Sequence, residues 1–353
     1  MQVRNLMETE PLVALSLAGV RAMKIFMNDP DADPLYLLRL MGFPKSSGHI
    51  ARVYGDNPVD AAEKIVRRCE KAGYLITRIT DSRYPYMLRE IPDPPLVLYS
   101  SGEIPRLPAV SIVGTRRSDP LSESITRRIA SECAGNGLCV TSGMAVGIDR
   151  AAHLGALESG TTIAVLPNGV DKRYPAVNSD VCDRIVRSPG SILLSEFPPG
   201  VRCDTWTFVR RNRIISGLSA ATAVIKAGLR SGALITANLA VEQSRDVFAC
   251  GGMPYDDGYA GCRKLIRDGA GILSSSGDLL TACGIGQSDG SRLLFADPTA
   301  EKIGYLLNKG VNDIDTISRE LSLPVADVRR ILVSLELDGR VTIRGGRVFT
   351  ERG

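Results

Sequence analysis

The sequence is poor in histidine, with only His49 and His153, and it holds a single tryptophan, Trp206. Its eight cysteines (Cys69, Cys133, Cys139, Cys182, Cys203, Cys250, Cys262 and Cys283) are scattered, with no C-x-x-C pair. So few imidazoles and no paired thiols argue against a zinc site. Thiols this sparse in a 353-residue chain fit reduced cysteines in a cytoplasmic protein rather than a disulfide scaffold. No apolar run reaches the roughly eighteen residues of a membrane span. Pro11–Val20 is apolar, but Glu8 and Glu10 precede it where a signal peptide is basic, so it reads as a buried helix. There is no Walker A motif, which argues against a P-loop ATPase. Nor does a G-x-G-x-x-G follow the first strand of the α/β region with an acidic residue about 20 positions on, which argues against a dinucleotide cofactor. No activated serine or cysteine nucleophile is recognisable. The expectation from these absences is a protein that carries no cofactor or metal.

What is present is a globular composition, 44% hydrophobic and 23% charged, in a chain long enough for two or three domains. The net charge of +4 permits an anionic partner without demanding one. Three regions separate by pattern. Residues 1–105 show helical periodicity and leave through a proline-rich stretch around Tyr84-Pro85 and Pro92, Pro94, Pro95; Ser100–Pro108 reads as a linker. Residues 109–284 alternate short apolar runs with helical segments. The pattern predicts strands at Ala109–Val113, Leu138–Thr141, Thr162–Leu166, Ile192–Leu194, Ala223–Lys226 and Asp246–Ala249. Helices are predicted at Leu121–Asn136, Ile148–Ser159 and Leu234–Gln243. Continuous apolar strands joined by crossover helices imply an α/β fold with a doubly wound, mostly parallel, Rossmann-like sheet. After a Gly/Ser-rich linker at Ile285–Ser291, residues 297–353 read as a winged helix. Its helices are expected at Thr316–Leu321 and Val325–Leu337, and a strand pair flanks Arg344–Arg347. That region has nine Lys plus Arg and nine Asp plus Glu, a balance that suits a protein contact or autoregulation better than an operator reader.

In such sheets ligands bind beyond the carboxyl ends of the strands. Those ends carry Gly114-Thr115-Arg116-Arg117, Ser142-Gly143, Lys172-Arg173, Lys226 and Ser231-Gly232. Glycines let backbone N–H groups approach an anion, helix N-termini add partial positive charge, and arginine grips phosphate bidentately. Each element also has an ordinary reading: Gly114 and Gly143 as tight turns, Ser231 as a helix cap, Arg116-Arg117 as a solvated pair. Their repetition along one edge favours a long anion-binding rim. Asp149 and His153, i and i+4 on one helix, read either as an acid/base pair or as a local hydrogen bond fixing the helix start. The segment Trp206–Arg213 (WTFVRRNR) adds aromatic rings to Arg210, Arg211, Asn212 and Arg213, the combination that holds single-stranded nucleic acid. The ordinary alternative has its arginines paired with Asp204 and Glu196 and its rings in the core; a mixed outcome buries Trp206 and exposes Phe208.

These loops resemble the DNA-processing protein A family, DprA or Smf. The matching residues are Ile112–Arg116, Ser142–Asp149, Ala151–Leu157, Thr162–Leu166, Tyr174-Pro175 with Asn178, Leu194–Glu196, Phe208 with Arg211–Ser219, and Ser231–Thr236. The resemblance implies an extended Rossmann-like domain flanked by a small N-terminal helical domain, SAM-like or helix-hairpin-helix-like, and in some members a C-terminal winged helix. It implies a homodimer that binds single-stranded DNA without sequence preference, protects it, displaces single-strand binding protein and loads the recombinase RecA in natural transformation. It also implies a protein that is not an enzyme. It places phosphate contacts at Arg116, at Lys172 or Arg173, and at Arg211 and Arg213. It places a stacking ring at Phe208 and backbone contacts at Ser142 and Gly143. Three departures stand out: Val146 replaces an arginine, Lys226 replaces a glutamate and so adds charge to the rim, and Gly251-Gly252 replaces Pro-Gly. Leu17–Arg21 only faintly echoes a helix-hairpin-helix loop. Two other classes remain open. One is a nucleotide phosphoribohydrolase, although Cys250–Pro254 lacks that family's Gly-Thr; the other is a regulator reading duplex through the winged helix.

Overall fold

The computed structural model describes residues 2–17, 25–30, 32–41, 46, 48–285, 299, 302–303, 306–307, 311–321, 323–337, 341–344 and 347–350. The chain divides into two compact units, residues 1–284 and 285–353. The Leu17–Arg21 echo lies outside the described residues beyond Leu17, as do positions 286–291 of the second linker and 345–346 of the wing turn.

The N-terminal part of the first unit includes, among the described residues, the helices α1 (Gln2–Leu17), α2 (Pro34–Leu40), α3 (Gly48–Tyr54) and α4 (Pro58–Ala72). Helix α4 starts where the Asn57 side chain accepts the Val59 N–H and Pro58 supplies a preset φ. It stops at Gly73, whose φ of 72° is left-handed. Then come β1 (Leu75–Arg78), α5 (Tyr86–Arg89), β2 (Val97–Ser100), β3 (Ala109–Val113), α6 (Pro120–Gly135), β4 (Cys139–Ser142), α7 (Ile148–Ser159) and β5 (Thr162–Val165). The unit continues with α8 (Ser179–Arg187), β6 (Ile192–Ser195), α9 (Thr205–Gly217), β7 (Ala221–Val224), α10 (Gly232–Glu242), β8 (Asp246–Ala249), α11 (Ala260–Arg267), β9 (Gly271–Ile272) and α12 (Ser276–Ala282).

One nine-stranded sheet runs in the order β1-β2-β6-β5-β4-β3-β7-β8-β9. Strands β3 to β9 are parallel, with Val110 opposite both Val140 and Ala221. Strands β1 and β2 add an antiparallel edge, with Tyr99 opposite Ser195. So the region of helical periodicity also contributes two strands to the sheet. Strands β3 to β7 are buried along their whole length, as their unbroken apolar runs foretold. One core cluster extends from Leu12 and Leu15 of α1 through Leu98 and Leu194 to Leu265 of α11, and Val110, Ile112, Cys133, Leu138 and Ile148 are buried outside it. The chain steps outward from β3 to β6, then returns to lay β7 on the other side of β3. That reversal is the topological switch point, where the loops leaving β3 and β7 diverge and open a crevice.

The second unit contains α13 (Ile314–Leu321), α14 (Val325–Leu337) and the antiparallel pair β10 (Val341–Arg344) and β11 (Arg347–Thr350). Ile303, Ile317, Val328, Leu332 and Val348 form its own core. No helix among the described residues is long and apolar enough to cross a membrane, and all eight cysteines are free thiols.

Candidate nucleic-acid interface

The crevice at the switch point is a cavity of about 960 Å³, walled by the β3–α6 turn, the exposed side of α9 and the start of α10. Its floor is set by glycine. A Cβ on Gly114 would lie 2.6 Å from Ile148 Cγ1, so the β3–α6 turn packs directly on α7. Gly147 (φ 81°) sits so close to the Thr115 carbonyl that a Cβ would come within 2.6 Å of it. The Thr115 N–H donates to the Lys226 carbonyl at 2.7 Å, tying the ends of β3 and β7 together. Thr115 Oγ1 accepts the Arg117 N–H at 3.1 Å, which turns Arg116 and Arg117 outward. Both arginines are exposed, line the cavity and have no ion-pair partner among the described residues. Opposite them, Ser231 caps α10 by accepting the Ala233 N–H at 3.3 Å, and Gly232 follows with open space around its Cα. Arg230, also exposed, in the cavity wall and unpaired among the described residues, completes a group of three cations.

WTFVRRNR forms the first turns of α9, which starts with a capping box between Asp204 and Thr207. Phe208 points into the cavity, half-buried, with the Arg116 guanidinium carbon 5.4 Å from its ring centroid. Tyr174, 43% exposed, meets Phe208 edge-on at 5.7 Å and lines the same wall. Asn212 lies one turn further along α9 on the cavity face. Trp206 is exposed while Phe208 is half-buried, the reverse of the mixed outcome expected from sequence.

The other expected cations do not face the cavity with free charge. Arg213 is buried between Glu196 (2.6 Å) and Asp93 (3.2 Å). Arg210 holds the same Glu196 with two bonds of 2.8 and 2.9 Å. Burial alone pushes the Glu196 carboxyl up, yet Arg213 and Arg210 outweigh it and hold the group below its ordinary value. These two arginines are scaffold, tied to the glutamate that the ordinary reading offered them. Lys226 sits between Asp119 (2.8 Å) and Asp256 (3.1 Å) and over the Tyr259 ring, so it adds no net charge to the rim. Arg211 is 4% exposed and donates to the carbonyl oxygens of Gly143 and Val165, clamping the ends of β4 and β5. Burial pulls its guanidinium down to about 10, against the opposing attraction of Asp149. Gly143 is a glycine because that guanidinium occupies the space of a Cβ. The Ser142 hydroxyl is spent on the Ile112 carbonyl at 2.6 Å. Lys172 pairs with Asp171 at 3.7 Å and Arg173 with Asp183 at 3.1 Å; neither lines the cavity, although the loop they stand on delivers Tyr174. Gly252 (φ 63°) packs its Cα against the Tyr259 ring.

Asp149 and His153 do not form an acid/base pair. The Asp149 carboxylate accepts the Ala145 N–H at 3.3 Å, fixing the turn before α7, and burial raises its pKa. The Thr162 hydroxyl donates to the Val140 carbonyl at 2.6 Å, so it accepts from His153 Nδ1, which carries the proton; Nε2 is left bare in the core. Burial pulls the imidazole down to about 3, and it stays neutral.

Sequence reading missed Arg230 and Tyr174 as members of this wall. Arg230 was visible in the Lys226–Ala233 loop after β7, and Tyr174 in the Tyr-Pro step. A family model described as DNA recombination-mediator protein A matches residues 75–284, and one described as the DprA winged helix domain matches residues 296–347. Protein Smf of Synechocystis is 38% identical over 302 residues, 82% of this chain and 73% of the relative. DNA processing protein DprA of Streptococcus pneumoniae is 40% identical over 205 residues, 57% of this chain and 72% of the relative. The crystal structure of the pneumococcal protein superposes with a TM-score of 0.63 at 31% identity, covering 76% of this chain and 95% of that one. A structure described for its single-stranded DNA binding mode, DNA processing protein A of Helicobacter pylori, gives 0.53 at 28% identity, covering 59% and 94%. This chain belongs to the DNA recombination-mediator protein A family, DprA/Smf.

Proposed function

We propose that the protein binds single-stranded DNA without sequence preference in the cavity at the switch point. As a homodimer it protects incoming strands, displaces single-strand binding protein and loads RecA on them during transformation. One observation carries this reading: three arginines without carboxylate partners among the described residues, Arg116, Arg117 and Arg230, share one cavity with the rings of Phe208 and Tyr174. Unpaired cations answer phosphates, and aromatic faces answer any base, so the combination selects a flexible strand over a stacked duplex. The N-terminus of α10 adds partial positive charge to the same wall. The DNA-binding relative from Helicobacter pylori supports the same assignment by likeness of fold and sequence. Within this reading Lys172 and Arg173 act from the rim outside the cavity, and Arg210, Arg211 and Arg213 act by holding α9 in place. Fluorescence anisotropy tests it, with labelled oligo-dT, duplex and RNA titrated across salt. Tight binding of oligo-dT that weakens steeply with salt is expected; equal affinity for duplex, or none for oligo-dT, refutes it.

A further inference from the structure

Helix α9 has a second aromatic residue that the cavity does not use. At 3.6 residues per turn, Trp206 lies about 60° round the helix from Val209. Val209, 49% exposed, is itself part of the cavity wall. Trp206 therefore stands just over the rim, next to the cavity's edge. Its ring is fixed. Phe197 meets it edge-on, with centroids 5.6 Å apart and an interplanar angle of 81°. His49 of α3 is tilted 54° against it, and the indole N–H lies 3.0 Å from His49 Nε2. Neither ring lies flat on the indole, which stays 40% exposed although its one polar group is satisfied. The indole is thus a large, oriented ring with an open face, of the kind enriched at binding interfaces. Two cations, one close in the sequence to His49 and one to Trp206, favour an anionic occupant. Arg52, one turn after His49 on α3, and Arg202, four residues before Trp206, are both exposed and have no ion pair among the described residues. The nearby Asp204 is engaged in capping α9 and lies 3.2 Å from His49 Nε2.

We propose that Trp206, flanked by Arg52 and Arg202, is a second base-stacking platform for the polynucleotide as it leaves the cavity across Val209. The N-terminal helices then form part of the strand's path, through α3. This rests on the proposed function and extends it from one cavity to a track with two aromatic stations. Continuity with the cavity wall and the charge of the flanking arginines choose a single strand over a protein partner.

Trp206 is the only tryptophan, so its own emission reports the site in the unaltered protein. Oligo-dT of about 16 nucleotides is titrated, following indole emission and the anisotropy of a labelled strand together. Emission is expected to quench in step with binding. Trp206→Ala should weaken binding about 5- to 150-fold, and Trp206→Phe should restore most of it. Arg52→Ala and Arg202→Ala leave the ring untouched, and each should lower the salt slope by about 0.7. Full binding by anisotropy with unchanged indole emission and no loss in Trp206→Ala overturns the second platform and leaves the cavity reading intact. No binding by anisotropy overturns both.

Discussion

Replacing Arg211 with alanine separates a scaffold arginine from a phosphate ligand. The guanidinium joins the Gly143 and Val165 carbonyl oxygens, which terminate two neighbouring strands, and it is the cation nearest in influence to the buried Asp149 carboxyl. Without it, two buried carbonyls lose their donor, at ~1–3 kcal/mol each, so the variant should lose ~2–6 kcal/mol of stability. Urea unfolding followed by Trp206 emission measures the loss. A second substitution sharpens the argument. Alanine at Gly143 places its Cβ against the guanidinium, so Gly143→Ala should destabilise the parent more than it destabilises the Arg211→Ala background. At temperatures where Arg211→Ala remains folded, the salt dependence of its DNA binding should match the parent's. A variant as stable as the parent whose salt slope falls by about 0.7 would refute this, because it would mean that Arg211 reaches a phosphate.

Arg116→Ala and Arg230→Ala should each flatten the salt slope of oligo-dT binding by about 0.7 without changing the urea midpoint, whereas Lys226→Met should leave the slope unchanged. Phe208→Ala should cost ~1–3 kcal/mol of binding energy if the ring stacks a base; a null effect by anisotropy would make the ring a spacer between Arg116 and Tyr174. His153 is neutral and buried, with a folded pKa of about 3 against about 6.5 in the unfolded chain. The unfolded state therefore binds the extra proton first, and stability present above about 6.5 is lost as pH falls toward about 3, by up to ~1.4 kcal/mol per pH unit. His153→Asn keeps a donor for Thr162 and should remove that part of the slope in urea titrations at stepped pH.

The parallel strands were among the most legible elements. Ala109–Val113 and Asp246–Ala249 have the same bounds in sequence pattern and structure, because an apolar run between turn signals leaves little choice of register. Strand β7 starts two residues earlier than expected, since the apolar run continues past it through Ile225. Helix α9 was illegible for a specific reason. Its inward face carries Arg211 and Arg213, so the polar residues do not mark the solvent side and the helical period is lost. Strands β1 and β2 were hidden for another reason: they are four residues long and their antiparallel partners are distant in sequence, which periodicity cannot register.

The same limit explains the site. A sequence shows how many cations a segment carries but not which carboxylates fold back onto them. Glu196 neutralises two members of the Arg-Arg-Asn-Arg run, Asp93 adds to one of them, and Asp119 and Asp256 together more than cancel Lys226. Paired charges project little field beyond the screening length of about 8 Å in physiological salt. The potential that a passing phosphate meets is therefore set by the few arginines left over. Arg116, Arg117 and Arg230 come from the two loops that diverge at the β3/β7 reversal, so the sheet's topology, rather than the local density of arginine, decides where the strand is held.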